Sequence, residues 1–170
     1  MNVECWFDGS TEPVNPNGHT SYGALILCGG KTLLAKSGYV GVGEGMTNNV
    51  GEYAGIISVM EFLIANSIKR ATIYGDSKMV VYQLNGQMKA KRGAYMPYYR
   101  RAIILRSKLP DVVIKWIPRE QNTRADYLSR QAIKTVPRSE SEGRELKSLI
   151  QQQREDRHDR RLRFEHAISK

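Results

Sequence analysis

Two extended stretches separated only by a glycine pair constrain this chain more than any other feature. Gly23 to Cys28 is an apolar run, Gly29-Gly30 interrupts it, and Lys31 to Val40 is extended again. Paired glycines between β-type runs favour a tight hairpin, because glycine takes the left-handed backbone of such turns without a Cβ penalty. Upstream, Val3 to Asp8 alternates, with Val3, Cys5 and Phe7 on one face and Glu4, Trp6 and Asp8 on the other. Gly9-Ser10 then reads as the turn that ends this strand, and residues 11–19, dense in Pro, Asn and Gly, as a loop. Three strands joined this way form an antiparallel meander.

The pattern changes after the glycine-rich stretch Gly41 to Gly45. Thr47-Asn48-Asn49 offers N-cap residues before a helix from Val50 to Ala65, in which Ile56, Val59, Met60, Leu63 and Ile64 recur at helical spacing. Glu52 falls in its first turn, where the helix dipole favours negative charge. Ala71 to Tyr74 is a short strand running into Gly75-Asp76-Ser77, and Ser77 caps a helix from Lys78 to Leu84. Pro97 suits the first turn of a helix reaching about Leu109, Val112 to Ile117 is a fifth strand closed by Pro118, and Asn122 or Thr123 caps a last helix. Three strands in a meander followed by two strands reached through helices give an α/β fold. It is a mixed five-stranded sheet, antiparallel in strands 1–3, with helices on its faces. Ligands of such sheets bind at the ends of central strands.

The 170 residues divide into a domain over 1–136 and a charged tail over 137–170. Hydrophobic content of 41% supports a globular core, while no run approaches the ~20 apolar residues of a membrane span. The amino end enters a strand at once, so neither a secretory leader nor membrane contact is expected. Cys5 and Cys28 lack metal or redox spacing and fall in apolar strands, as buried thiols of a reducing, cytoplasmic compartment do. Net charge is +9; residues 137–170 hold nine Lys/Arg and seven Asp/Glu, which leaves the body at about +7. A basic body points to a polyanion. In the tail, Leu146, Leu149 and Ile150 make only a short apolar stripe, and 151–161 contain no apolar residue. A charged helix, a protein-interaction tail and an extra nucleic-acid contact all remain open for it.

Four carboxylates occupy marked positions. Asp8 and Asp76 each stand where a strand meets a turn, and Glu52 and Asp126 near the starts of capped helices. If strands 1 and 4 are neighbours, these groups emerge at one edge of the sheet. Carboxylates brought together repel unless a cation intervenes. An all-oxygen set without His or Cys suits Mg²⁺ or Mn²⁺ rather than Zn²⁺. Two such ions roughly 3.5–4 Å apart can activate water and stabilise a leaving oxygen in phosphodiester cleavage.

Phe7-Asp8-Gly9-Ser10, Thr47-Asn48-Asn49-Val50-Gly51-Glu52, Tyr74-Gly75-Asp76-Ser77 and Asn122-Thr123-Arg124-Ala125-Asp126-Tyr127-Leu128 together resemble the four signature segments of type 1 ribonuclease H. The likeness extends over about residues 1–135. Trp116-Ile117-Pro118-Arg119-Glu120-Gln121-Asn122 resembles the compact archaeal, bacterial and plant branch, which lacks the long basic protrusion. The resemblance implies hydrolysis of the RNA strand of RNA/DNA hybrids with two Mg²⁺ ions, Mn²⁺ substituting, giving 5′-phosphate and 3′-hydroxyl ends. Asp8 would then serve both ions, Glu52 and Asp76 one site, and Asp126 the other. Gly9 and Ser10 would approach the RNA 2′-hydroxyls, and Thr47, Asn48 and Asn49 the phosphate and minor groove. Ser77 would contact the backbone or serve only as a cap.

The chain departs from the family in two places. Many members carry a His in the loop before the last Asp, whereas here that loop is Pro118-Arg119-Glu120-Gln121, with Arg119 or Glu120 as the available substitute. In place of the basic protrusion stand Lys89, Lys91 and Arg92, with Tyr95 nearby, as candidate contacts to the DNA strand's phosphates. Double-stranded RNA stays open as a second substrate, and the protein is expected to act as a monomer. A related-fold DNA nuclease, such as a resolvase or exonuclease, is opposed by the Gly9-Ser10 and Thr47–Glu52 segments. A non-catalytic nucleic-acid-binding module is opposed by the presence of all four acids.

Overall fold

The computed structural model describes residues 2–136, together with Ser148 and Gln151. The chain divides into Met1–Thr135 and Val136–Lys170. The readings made above for the tail lie outside the described residues, apart from those two positions.

The first unit is built on one five-stranded sheet. Strands β1 (Val3–Glu12), β2 (His19–Cys28) and β3 (Lys31–Gly41) form the meander, with the Gly29-Gly30 hairpin at positive φ in both glycines. Helix α1 (Asn48–Ala65) leads to β4 (Thr72–Gly75), then α2 (Lys78–Leu84) and α3 (Met96–Ser107) lead to β5 (Val113–Trp116), and α4 (Thr123–Thr135) closes the unit. The sheet order is β3-β2-β1-β4-β5. β1 is therefore central, antiparallel to β2 and parallel to β4. The β1–β4 register pairs Trp6 with Tyr74. Two residues further along each strand stand Asp8 and Asp76, so the register alone brings them to one end of the sheet.

Alternation on β1 decides which helix each face meets. Cys5 and Phe7 are fully buried in a core shared with Ile73 of β4 and with Tyr53, Ile56, Val59, Met60 and Leu63 of α1. Each such large apolar side chain, fully withdrawn from water, contributes about 1.5–3 kcal/mol. The opposite face takes α4, whose Ala125, Ser129 and Ile133 are buried. A Cβ on Gly23 would strike the α4 backbone at Ala125 and Ser129, so glycine there allows the helix to lie directly on β2.

Four sequence expectations are corrected. β1 does not end at Gly9-Ser10: the strand continues to Glu12, with Gly9 opposite Tyr22 and Ser10 opposite Ser21. β2 starts at His19 rather than Gly23, which gives the extra residues partners, and Thr11 and Thr20 join their hydroxyls across the strands at 2.8 Å. Helix α1 begins at Asn48, capped by the Thr47 hydroxyl, which accepts from Val50 N–H at 3.3 Å. Glu52 therefore lies in the second turn, and its place is set by packing rather than by the helix dipole. Cys5 is buried as expected, but Cys28, at the hairpin end of β2, is only half-buried.

Candidate active site

The close approach of α1 to β1 builds the site. A Cβ on Gly9 would collide with the backbone of Gly51 and Glu52, and one on Gly51 would come within 2.6 Å of the Ser21 carbonyl. Glycine at both positions removes the side chains that normally keep a helix about 10 Å from a sheet. Strand and helix meet backbone to backbone, and Glu52 is carried in beside Asp8.

Asp8, Glu52 and Asp76 consequently converge, each offering a carboxylate oxygen within 4.8 Å of the other two. Asp8 and Glu52 are each 5% exposed, and Asp76 is half-buried. Burial pushes the Asp8 carboxyl up to about 7, reinforced by the charges of Asp76 and Asp126 and opposed by hydrogen bonds from Ser129 and the Gly9 amide. Burial likewise raises Glu52 well above the usual carboxylate range, with Asp8 and Asp76 adding repulsion. Asp76 is raised too, again by burial, against a hydrogen bond from Asn122 and the attraction of Arg119. Three mutually repelling acids in a dry corner are unfavourable without positive charge. Glu52 Oε2 is, moreover, buried without a hydrogen-bond partner. All-oxygen donors, one orphaned oxygen and excess negative charge are what a divalent cation requires, and the residues fit that group.

The fourth acid is placed differently. Asp126 lies on the first turn of α4 and lines the same cleft of about 180 Å³, together with Gly9, Ser10, Asn48, Arg119 and Arg130. It does not join the three-acid cluster. Its Oδ1 accepts from Arg119 at 2.9 Å and from Arg130 at 3.3 Å, and Arg130 also reaches Glu12 at 3.1 Å. Asp126 in turn strengthens the hold of Arg119 on its proton, by hydrogen bond and charge.

Four supporting contacts escaped the sequence reading, two of them made by residues, Asn122 and Trp116, that it named for other reasons. Ser129, fully buried on α4, donates to Asp8 Oδ2 at 2.7 Å. Asn122, buried just before α4, donates to the Phe7 carbonyl at 2.9 Å and ties the helix start to the strand that carries Asp8. The Trp116 indole donates to the Asp76 carbonyl at 3.0 Å while Lys78 sits 4.7 Å above its ring. Arg130 makes the fourth. Ser129 and Arg130 are three and four residues after Asp126, on one helix face, and that spacing was their available signal.

The remaining candidates fall into two groups. Gly9, Ser10 and Asn48 line the cleft, as does Arg119. Thr47 and Ser77 are helix caps, accepting from Val50 and Val80 N–H. A capping hydroxyl accepts through a lone pair and keeps its own proton for another acceptor. Asn49 is half-buried, and Lys89, Lys91 and Arg92 are exposed on the loop after α2, outside the cleft lining. Tyr95, which the sequence placed near them, is 8% exposed and stacks on Tyr53.

A family model described as Reverse transcriptase-like matches residues 7–132. The Bifunctional protein Rv2228c of Mycobacterium tuberculosis is 31% identical over 139 residues, covering 82% of this chain and 37% of that protein. The chain thus spans well under half the length of this relative. The solved N-terminal RNase H domain of Rv2228c is 30% identical, with a TM-score of 0.67 over 75% of this chain and 95% of that one. RNase H1 of the archaeon Halobacterium salinarum superposes with a TM-score of 0.70 at 26% identity, covering 80% of this chain and all of its own. LC11-RNase H1, isolated from compost and solved in complex with an RNA/DNA hybrid, gives 0.66 at 29% identity over 75% of this chain and 93% of that one. With the four signature segments folded into one cleft and these relatives on either side of it, the chain belongs to the type 1 ribonuclease H group of the reverse transcriptase-like family.

Proposed function

We propose that the protein is an endoribonuclease that hydrolyses the RNA strand of RNA/DNA hybrids with Mg²⁺, leaving 5′-phosphate and 3′-hydroxyl ends. The observation that carries this reading is the clustered trio Asp8, Glu52 and Asp76, in which Glu52 Oε2 is buried without a hydrogen-bond partner. Divalent ions held there supply an acidified water and charge neutralisation at the leaving oxygen. Mg²⁺ is favoured over softer ions by the all-carboxylate set, with Mn²⁺ as a substitute.

The chain's own residues do the rest. Asp8, clamped by Ser129, and Asp76, whose backbone carbonyl is held by Trp116, keep their carboxylates in place before substrate arrives. Such preorganisation avoids reorganisation during the reaction. Asp126 sits across the cleft, where release from Arg119 would make its oxygens available to a second ion. Arg119, two-thirds exposed, has the reach to turn towards a phosphate instead. Gly9 and Ser10 offer main chain at the cleft wall where an RNA 2′-hydroxyl would lie, and Asn48 a side chain beside them. Thr47, Asn49 and Ser77 flank that wall. The basic loop with Lys89, Lys91 and Arg92 is assigned to the DNA strand's phosphates.

Labelled RNA/DNA hybrid, DNA duplex and RNA duplex, each incubated with Mg²⁺, Mn²⁺ or EDTA, test the reading. Cleavage of the hybrid that disappears in EDTA and in Asp8→Asn is expected. Hybrid binding without cleavage in either metal, or cleavage of DNA alone, overturns it. The RNA-duplex arm reports whether that substrate is also cut.

A further inference from the structure

Away from the carboxylates, a set of buried polar groups joins α1 to the loop that follows α2. Tyr53, the residue after Glu52, is fully buried, and its hydroxyl donates to Gln83 Oε1 at 2.5 Å. Gln83, on α2 and 3% exposed, directs its amide nitrogen to the Tyr95 hydroxyl at 3.3 Å and the Lys89 carbonyl at 3.4 Å. The Tyr95 hydroxyl accepts from Lys91 N–H at 3.0 Å and donates to the Lys91 carbonyl at 3.0 Å. One donor and two acceptor sites are the full capacity of a phenol, and here all three are used. The Tyr53 and Tyr95 rings stack with centroids 5.6 Å apart and planes 5° from parallel, and Tyr99 meets Tyr53 edge-on at 6.0 Å.

The placement of the charges gives this network its meaning. Main chain at Lys89 and Lys91 is tied to buried groups, yet the side chains of Lys89, Lys91 and Arg92 stay exposed. Surface loops of this composition ordinarily move. Ala94, at the end of the loop, has its Cβ 3.7 Å from where a Gly45 side chain would be, two residues before the Thr47–Asn49 segment. The cationic loop is thus tied to the helix that carries Glu52, and its end at Ala94 lies near Gly45, two residues before the segment that carries Asn48.

We propose that Tyr95 is a positioning residue for nucleic-acid binding: its hydroxyl, acting with Gln83 on the Lys89 and Lys91 backbone, presents Lys89, Lys91 and Arg92 as a preformed phosphate contact in fixed register with the carboxylate cleft. This rests on the hybrid-hydrolase reading and adds to it the device that sets substrate register. Cations on a pinned backbone give up less freedom on binding. Each phosphate they neutralise contributes about 0.9 to the salt dependence of affinity for a B-form duplex.

Tyr95→Phe tests the proposal, because it keeps the ring stack and removes the hydroxyl. On the full chain, three readouts are taken: amide hydrogen exchange over residues 86–94, affinity for an RNA/DNA hybrid in EDTA across a salt series, and steady-state cleavage in Mg²⁺. The variant is expected to exchange faster around Lys91, to bind the hybrid about fivefold more weakly, about seven-tenths of the free energy of a tenfold change, and to lose about one from the salt slope. KM rises while kcat stays within about twofold. In a background with Lys89, Lys91 and Arg92 all changed to Ala, the hydroxyl should matter no further for affinity. Hybrid affinity and salt slope like wild type in Tyr95→Phe overturn the proposal. So does an equal loss in the background without the three cations, which marks the hydroxyl as a general structural support. Failure of the hydrolase reading shows separately, as wild-type protein that leaves the hybrid uncut in every metal.

Discussion

The three acids at the floor of the cleft and the fourth at its rim are the same chemical group in opposite electrostatic circumstances. Asp8, Glu52 and Asp76 are pressed together by backbone-to-backbone packing, dried by burial and shifted upward in pKa. Asp126 stands at a more open place and already has two guanidinium partners. The floor is a site the fold forces on its residues at a cost in stability, and its donor set fits a divalent cation. The rim is neutralised from within, and it can wait. Functional strain in this molecule is therefore concentrated where glycine permits strand and helix to touch.

The largest expected effect follows from the pKa of Asp8. Its folded value, about 7, exceeds the ordinary aspartate value of 3.8, so between these limits the folded state holds a proton that the unfolded state has lost. Stability must then fall as pH rises through that window. Glu52 and Asp76 shift in the same direction and add to the trend. In EDTA, urea unfolding should show the protein more stable at pH 5 than at pH 8, with Asp8 alone contributing about 3 kcal/mol. Mg²⁺ at pH 8 should restore most of the difference. Higher stability at pH 8 in EDTA would break the contrast between floor and rim.

Next in size is Gly9→Ala. Its Cβ would meet the Glu52 and Gly51 main chain, which cannot move aside as a flexible side chain would. A loss of about 2–3 kcal/mol is expected, with weaker divalent binding because Glu52 is pushed from Asp8. Thermal melts with and without Mg²⁺ separate the two effects, and unchanged metal affinity would show that the close approach does not set the cluster.

The smallest effect belongs to the rim. Arg119→Gln removes an ion pair whose arginine is two-thirds exposed, so stability should change by less than about 1 kcal/mol. Hybrid cleavage should fall far more than that if Arg119 turns to a substrate phosphate as proposed. A chemical denaturation curve beside a cleavage time course checks both halves. A large loss of stability would mean that Arg119 is a structural partner.

Much of this arrangement was legible in the residues. The Gly29-Gly30 hairpin and the helix-linked later strands depend on local pattern, and local pattern survives folding; the four acids were picked out as well, although Asp8 proved to lie within β1 and Glu52 in the second turn of α1. What failed depends on partners far along the chain. Gly9-Ser10 looked like a turn because its strand partner, Ser21-Tyr22, lies beyond a loop rich in Pro and Asn. Ser129 reaches Asp8 across 121 residues, so no local reading could pair them. Gly51 carries no chemistry of its own and matters only for the atoms it leaves out. Tyr95 was placed only as near the Lys and Arg of its loop, while its neighbours in space are Tyr53 and Gln83, which no local pattern pairs with it.

The most direct test is calorimetric titration of Mg²⁺ into wild type and Asp8→Asn, each at pH 6 and pH 8 and without nucleic acid. Wild type should bind at pH 8 and about tenfold more weakly at pH 6, releasing protons at the lower pH, because a carboxyl that titrates near 7 must ionise to serve as a ligand. Asp8→Asn should lose this binding and its pH dependence together. Equal Mg²⁺ binding by the two proteins would contradict the assignment of Asp8, Glu52 and Asp76 as the metal site.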